Sequence, residues 1–304
     1  MESHTTIEAV VIGNTTLDIL CYHVNEVPRY DSITFERVSV GPGGCGSNVA
    51  IGLCVLGIQT ALVTRIGSDE ASILIEKTWD RVGLDRRYVK RTAGTSTGTS
   101  VGLIDHNKQP RFIHITGANA GISMDDLDFT GLSKIKAKVY HLGGFFVLPG
   151  LMDDRLPLGL SKLRQLGGFI SMDVANSPGM DDPTVLWPCL PLMDIFMCNS
   201  TEGTRLTGEA EPPMIARALR NRGIKSVIIK LGAEGCWLAS NEWEGKIPPI
   251  VVNVIDTTGA GDAFAAGLLS AILRGKDLIQ ACRAGNEAGA RIVKSFGAIS
   301  GWFE

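Results

Sequence analysis

The segment Asp256-Thr257-Thr258-Gly259-Ala260-Gly261-Asp262-Ala263-Phe264 holds the residues of this chain best suited to chemistry. The stretch that follows, Ala265–Arg274, has a helical apolar pattern stopping at Gly275, so the glycines stand at a helix N-terminus. There the first backbone N–H groups lack intrahelical partners and the dipole is positive, which favours an anion. Small residues at Gly259, Ala260 and Gly261 let a phosphate approach the main chain closely. Asp262 lies inside that cradle, where its carboxylate can accept the proton of a hydroxyl attacking the same phosphate. A carboxylate is a weak base, but proton transfer comes late in phosphoryl transfer, so placement matters more than a raised pKa. An aspartate that merely caps a helix looks the same in isolation; the glycines before it favour the chemical reading.

A second glycine cluster, Gly41 to Gly46, opens an expected helix Ser47–Leu56 that stops at Gly57. Two other glycine motifs are missing. There is no G-x-x-x-x-G-K-[ST], and the turn after the first strand reads Gly13-Asn14-Thr15-Thr16 instead of G-x-G-x-x-G. P-loop chemistry and nicotinamide binding are therefore not expected. The five histidines have no metal-ligand spacing, and the closest cysteines, Cys45 with Cys54 and Cys189 with Cys198, are nine apart. An odd count of seven cysteines suits reduced thiols and a cytoplasmic location. Net charge is −3 with no basic block, so neither nucleic acid nor an anionic membrane is an expected partner. Met1–Val10 carries Glu2, His4 and Glu8, and the apolar run after it breaks at Gly13-Asn14, which excludes a signal peptide or span.

The elements that must position these residues alternate. Strands are expected at Glu8–Ile12, Ala61–Arg65, Val139–Leu142, Phe169–Met172, Ile195–Cys198 and Val227–Leu231. Helices fall at Asp69–Val82, about 152–166, 201–206, 213–222 and Ile279–Val293. That rhythm implies a parallel sheet covered on both faces. Two inserts break it: alternating stretches Asp18–Val24 and Thr34–Val40, and a hairpin Thr97–Asp105 to Arg111–Ile115 around Asn107-Lys108-Gln109-Pro110. These two antiparallel inserts read as a small β lid, residues about 15–40 and 95–117, on one α/β body.

Asp256–Phe264 is similar to the C-terminal signature of the ribokinase-like (PfkB) carbohydrate kinases. Gly41-Pro42-Gly43-Gly44-Cys45-Gly46-Ser47-Asn48-Val49-Ala50 resembles their N-terminal signature. Both stand in the family's order, and the resemblance runs from Val10 to about Gly301. It implies an α/β three-layer sandwich with a mostly parallel central sheet and a small β-sheet lid, a single kinase domain over 1–304. Gly43 and Gly44 would touch the sugar through backbone N–H groups, and Asp18 and Asn48 would hydrogen-bond its hydroxyls. Asn199 and Glu202, in Asn199-Ser200-Thr201-Glu202, would manage magnesium and phosphate through water; the same four residues also read as a capping box. Lys230-Leu231-Gly232-Ala233-Glu234-Gly235 matches the nucleotide loop, usually Thr-x-Gly-x-x-Gly, so Lys230 replaces a hydroxyl with a charge for phosphate, or is a plain strand-end lysine. Asn286 matches a position lining the adenine pocket, or stands on a helix face with no ligand. Asp256 and Thr258 match ligands of a monovalent cation, potassium, completed by carbonyls near 292–297.

The expected reaction moves the γ-phosphate of ATP, with magnesium, to a hydroxyl of a small sugar-like acceptor. Ribokinases tend to place a glutamate where this chain has Phe145-Phe146, after Gly143-Gly144, so a nucleoside kinase on the same fold is the alternative. A sugar-binding regulator without activity is the third reading, and the intact Gly259–Asp262 run speaks against it. Arginines and lysines do not cluster near Asp18 or Asn48, which disfavours an already phosphorylated acceptor. The exposed edges of a β lid suggest a homodimer formed through it.

Overall fold

The computed structural model describes residues 6–108, 110–135 and 137–304. The readings of Met1–Thr5 and of Gln109 in the hairpin turn lie outside these residues. In chain order the strands are β1 (Ala9–Gly13), β2 (Thr16–Tyr22), β3 (Arg37–Gly43), β4 (Thr60–Ile66), β5 (Val89–Arg91), β6 (Gly98–Ile104), β7 (Pro110–Ile115), β8 (Val139–Gly143), β9 (Phe169–Asp173), β10 (Ile195–Asn199), β11 (Ser226–Lys230), β12 (Cys236–Ala239) and β13 (Glu244–Ile247). The helices are α1 (Cys45–Val55), α2 (Glu70–Val82), α3 (Phe129–Ile135), α4 (Leu156–Gln165), α5 (Ser200–Thr207), α6 (Pro212–Arg220), α7 (Ala260–Leu273) and α8 (Leu278–Ile292).

Nine strands form the large sheet in the order β13-β12-β11-β10-β9-β8-β1-β4-β5. All neighbours are parallel except the β11–β12–β13 edge, which is antiparallel. The central strands are short apolar runs because both faces are covered. In β1, Val10 and Ile12 pack on the side of α4 and α6 with Leu160, Leu163 and Ile215. Ala9 and Val11 face the opposite way, toward α1, α2 and α7 with Val49, Trp79 and Leu268. Each such fully buried aliphatic side chain contributes roughly 1.5–3 kcal/mol. The result is a helix–sheet–helix sandwich, as the alternation implied. The β12–β13 pair and β5 were not expected; at three or four residues they carry too little periodicity to read.

The second sheet has the order β3-β2-β6-β7. Each insert is antiparallel as expected, β2 with β3 and β6 with β7, and the two inserts join through a parallel pairing of β2 with β6. The physical reason is that β2 follows β1 and β6 follows β5, and both body strands deliver the chain at the same edge of the large sheet. The pleat gives the lid two faces. Asp18, Ser100 and His114 are register partners on one face. No helix of the described residues is long and apolar enough to cross a membrane.

Candidate active site beneath the lid

The site forms where β1, β8 and β9 end. There α1 starts so close to the sheet that glycine is required on both sides. A Cβ on Gly13 would lie 2.6 Å from the Gly46 Cα, and one on Gly46 would lie 2.5 Å from the Gly13 Cα. Gly44, the N-cap of α1, has φ of 83°, and a Cβ there would meet the Asn14 carbonyl oxygen at 2.7 Å. Gly259, with φ of 78°, starts α7 in the same way and backs onto Ala298. The two helix heads face one cavity of about 830 Å³ that reaches up to the lid.

Asp262 lies in the first turn of α7 and borders that cavity. The Asn48 Nδ2 donates to its Oδ2 at 2.7 Å, tying α1 to α7. Burial, then the nearby Asp173 carboxylate, raise the Asp262 pKa to about 6; the Asn48 hydrogen bond and Lys230 oppose that rise. The buried Asn48 Oδ1 and Asn14 Oδ1 have no partner among the described residues, and both residues line the cavity. Such orphan acceptors at a cavity wall suit hydroxyl donors of a ligand.

Asp18 comes from β2, on the lid face that looks down into the cavity. Its carboxylate accepts the Thr16 hydroxyl at 2.7 Å, and burial raises its pKa to about 6 against hydrogen bonds from Thr16 and Ser100. Gly43 does not line the cavity; it makes room for this carboxylate, since a Cβ there would lie 2.0 Å from the Asp18 Cγ. His114 borders the cavity and pairs with the Ser100 Oγ at 2.9 Å. His23 and His106 instead stack on each other, ring centroids 4.6 Å apart, and His141 is a core residue paired with Ser171. Phe146 borders the cavity, whereas Phe145 belongs to the core.

A second cluster lies beneath the cradle. Lys230 ends β11 and is not a plain surface lysine, for its side chain is 15% exposed. Its Nζ sits 3.8 Å from the Asp173 Oδ2 and 3.1 Å from where a Cβ on Gly261 would be. Burial alone would lower the Lys230 pKa, but Asp173, Glu202 and Asp262 reverse that and raise it, so the ammonium stays charged. Glu202 is the capping-box partner of Asn199, whose N–H it accepts at 2.7 Å while the Asn199 Oδ1 accepts the Glu202 N–H at 2.8 Å. The capping box is therefore present, and burial raises the Glu202 pKa while the Lys230 ammonium opposes that rise. An acid at this depth beside the cradle fits a magnesium ion that keeps most of its waters.

Three expectations fare differently. Asn286 donates one N–H of its Nδ2 to the Pro248 carbonyl at 2.8 Å, tying α8 to the chain after β13. In the nucleotide loop Gly232 is open, but Gly235 backs onto the Ile247 carbonyl, where a Cβ would lie 2.2 Å away. Asp256 and Thr258 do not fit a monovalent cation, because Thr258 donates its N–H and hydroxyl to the Asp256 Oδ1 and the other oxygen is also filled. Cys45 heads α1 against Gly144, and burial raises its thiol well above the ordinary range, so it is no reactive thiolate.

Asp173, which accepts the Gly144 N–H at 2.8 Å, and Tyr22 were missed. Asp173 carried a usable signal, an acid directly after a strand at the carboxyl end of a parallel sheet. Tyr22 carried none.

A family model described as pfkB family carbohydrate kinase matches residues 6–303. The chain is 34% identical over 255 residues to a protein of Archaeoglobus fulgidus named an uncharacterized sugar kinase, covering 83% of this chain and 98% of that one. It is 27% identical to the 2-dehydro-3-deoxygluconokinase of Bacillus subtilis, over 97% and 92% of the two chains. Among solved structures, the ribokinase of Arabidopsis thaliana complexed with ribose and ATP matches with a TM-score of 0.80 and 27% identity, over 98% and 96%. With two glycine-started helices meeting under a β lid, and a match that spans nearly its whole length, this chain belongs to the pfkB family of carbohydrate kinases.

Proposed function

We propose that the protein transfers the γ-phosphoryl group of ATP to a hydroxyl of a small, uncharged sugar-like acceptor held between Asp18, Asn48 and the lid. The acceptor oxygen bonds to the γ-phosphorus as the bond to the β–γ bridging oxygen breaks, its proton passes to Asp262, and ADP leaves. The Gly259–Gly261 main chain at the head of α7 holds the moving phosphoryl group. Lys230 adds a fixed charge beneath it, and Gly44 contributes N–H contacts to the acceptor. Magnesium supplies charge neutralisation on the phosphates when bound, with Glu202 and Asn199 facing its waters. ATP enters along the Gly232–Gly235 turn.

The observation that carries this reading is the 2.7 Å bond from Asn48 to Asp262, which puts the acceptor signature and the phosphate signature on one cavity. An uncharged acceptor is favoured because none of the described residues lining that cavity is Lys or Arg. A nucleoside acceptor is the second reading, favoured by Phe112, Phe146 and Met152 on the cavity wall. Release of ADP across pentoses, hexoses, sugar acids and nucleosides tests both. Turnover with a neutral sugar is expected; adenosine or inosine as the preferred acceptor selects the second reading. Exclusive use of a sugar acid would defeat the neutral-acceptor argument, and tight binding without turnover would point to a regulator.

The lid is proposed to join two copies of the chain. Its outer face carries Val38, Val40, Ile113 and Ile115, each at least half exposed, so an apolar sheet surface stands in water. Sedimentation should show a dimer for the wild type and a monomer for Ile113→Lys, with the fold kept. A monomeric wild type would remove this assembly.

A further inference from the structure

Asp256 is 1% exposed and stands three residues before the head of α7. An ionised carboxylate has about four lone-pair directions to offer. Here the protein fills four. The Oδ1 accepts the Thr258 N–H at 2.9 Å and the Thr258 hydroxyl at 2.8 Å. The Oδ2 accepts the Gly297 N–H at 2.9 Å and the Tyr22 hydroxyl at 2.5 Å. Donors to a buried carboxylate do electrostatic work that a bound cation would otherwise do.

The Tyr22 donor comes from the lid, far along the chain, and is held firmly. Its ring is 1% exposed and meets Phe296 edge-on, with centroids 4.8 Å apart. The Arg37 guanidinium, also from the lid, lies 4.4 Å from the same Phe296 ring. Burial, and then the hydrogen bond to Asp256, raise the Tyr22 pKa, so the hydroxyl keeps its proton. Lys230 departs from the usual loop threonine in a complementary way, bringing an ammonium to 3.1 Å from the Cβ position of Gly261.

We infer that this protein needs no monovalent cation: the Tyr22 hydroxyl takes the place on Asp256 that such an ion would use, and Lys230 supplies the fixed positive charge under the cradle. The inference rests on the cradle binding ATP phosphates. Tyr22 is a positioning residue in this account, since it acts through Asp256 and touches neither reactant. It also links the lid, four residues on from the cavity-facing Asp18, to the loop that leads into α7.

The test compares wild type and Tyr22→Phe in potassium chloride and in tetramethylammonium chloride of equal ionic strength. Two readouts are taken: melting of the ligand-free protein, and the affinity for magnesium-ATP by calorimetry. Wild-type affinity should differ by less than about twofold between the salts, with no potassium-dependent rise in melting temperature. Tyr22→Phe keeps the ring against Phe296 but opens one acceptor position, so its ATP affinity should tighten by about fivefold or more in potassium. A wild-type protein stabilised by potassium without ATP overturns the inference and leaves the kinase reading untouched. So does a Tyr22→Phe protein as indifferent to potassium as the wild type. If Tyr22→Phe does not fold, the wild-type melting comparison decides alone. Absence of ATP binding in either salt would instead undo the kinase reading, while melting still answers the question of the ion.

Discussion

Asp262→Asn is expected to lower kcat by about a hundredfold or more while leaving the KM values for ATP and acceptor within severalfold of wild type. Asparagine has the same shape and keeps an oxygen for the Asn48 amide, so the bond between α1 and α7 survives. What is lost is the capacity to take the acceptor's proton. Removing a negative charge beside Lys230 and the cradle does not weaken ATP, because Asp262 and the phosphates repel each other. The pH profile gives a second check. A base whose pKa is raised to about 6 is unprotonated above that value and protonated below it, so wild-type kcat/KM should fall as pH drops through about 6. The variant should lose the Asp262 limb and keep only the one from Asp18, whose carboxyl burial also raises to about 6. A variant that retains near-normal kcat would show that the proton goes elsewhere.

Gly43→Ala should raise the acceptor KM by about tenfold to a hundredfold, roughly 1.4–2.8 kcal/mol of lost binding, and leave the KM for ATP nearly unchanged. The added methyl would stand 2.0 Å from the Asp18 carboxyl carbon, so that side chain must swing out of the cavity. Gly41 on the same strand is the control. Nothing lies within 4 Å of its Cβ position, and Gly41→Ala should leave acceptor affinity alone. Equal effects of the two substitutions would mean that β3 tolerates no side chain at all, and the argument for a packed Asp18 would fail. Equal effects of Gly43→Ala on ATP and acceptor would break the assignment of this corner to the acceptor.

The alternating body was legible because its strands are continuous apolar runs and its helices end at glycines such as Gly57 and Gly83. The head of α7 was legible for the same kind of reason: local spacing dictates a helix start, and a helix start dictates free N–H groups. Asp173 was within reach, one residue past the expected strand Phe169–Met172. The parallel join between β2 and β6, the short edge strands β12 and β13, and the short helical pieces between 117 and 135 were not legible, since no run there is long enough to show a period. Asn286 illustrates a different limit. Its residue type matched a nucleotide-facing role, and no local pattern could show that one of its N–H groups bonds the Pro248 carbonyl, 38 positions away.

The sequence by itself determined the periodic elements, the two glycine-started helices, and a carboxylate at the head of the second, because each is a matter of neighbours along the chain. Tertiary structure alone decided what surrounds those groups: Asn48 against Asp262, Gly43 beneath Asp18, Lys230 under Gly261, and the lid tyrosine on Asp256. Charge, desolvation and hydrogen-bond supply depend on distances between residues up to 234 positions apart, and no local pattern encodes those distances. The glycine-started head of α7 was therefore written in one segment. How many oxygens Asp256 keeps free depends on a strand from the other end of the chain.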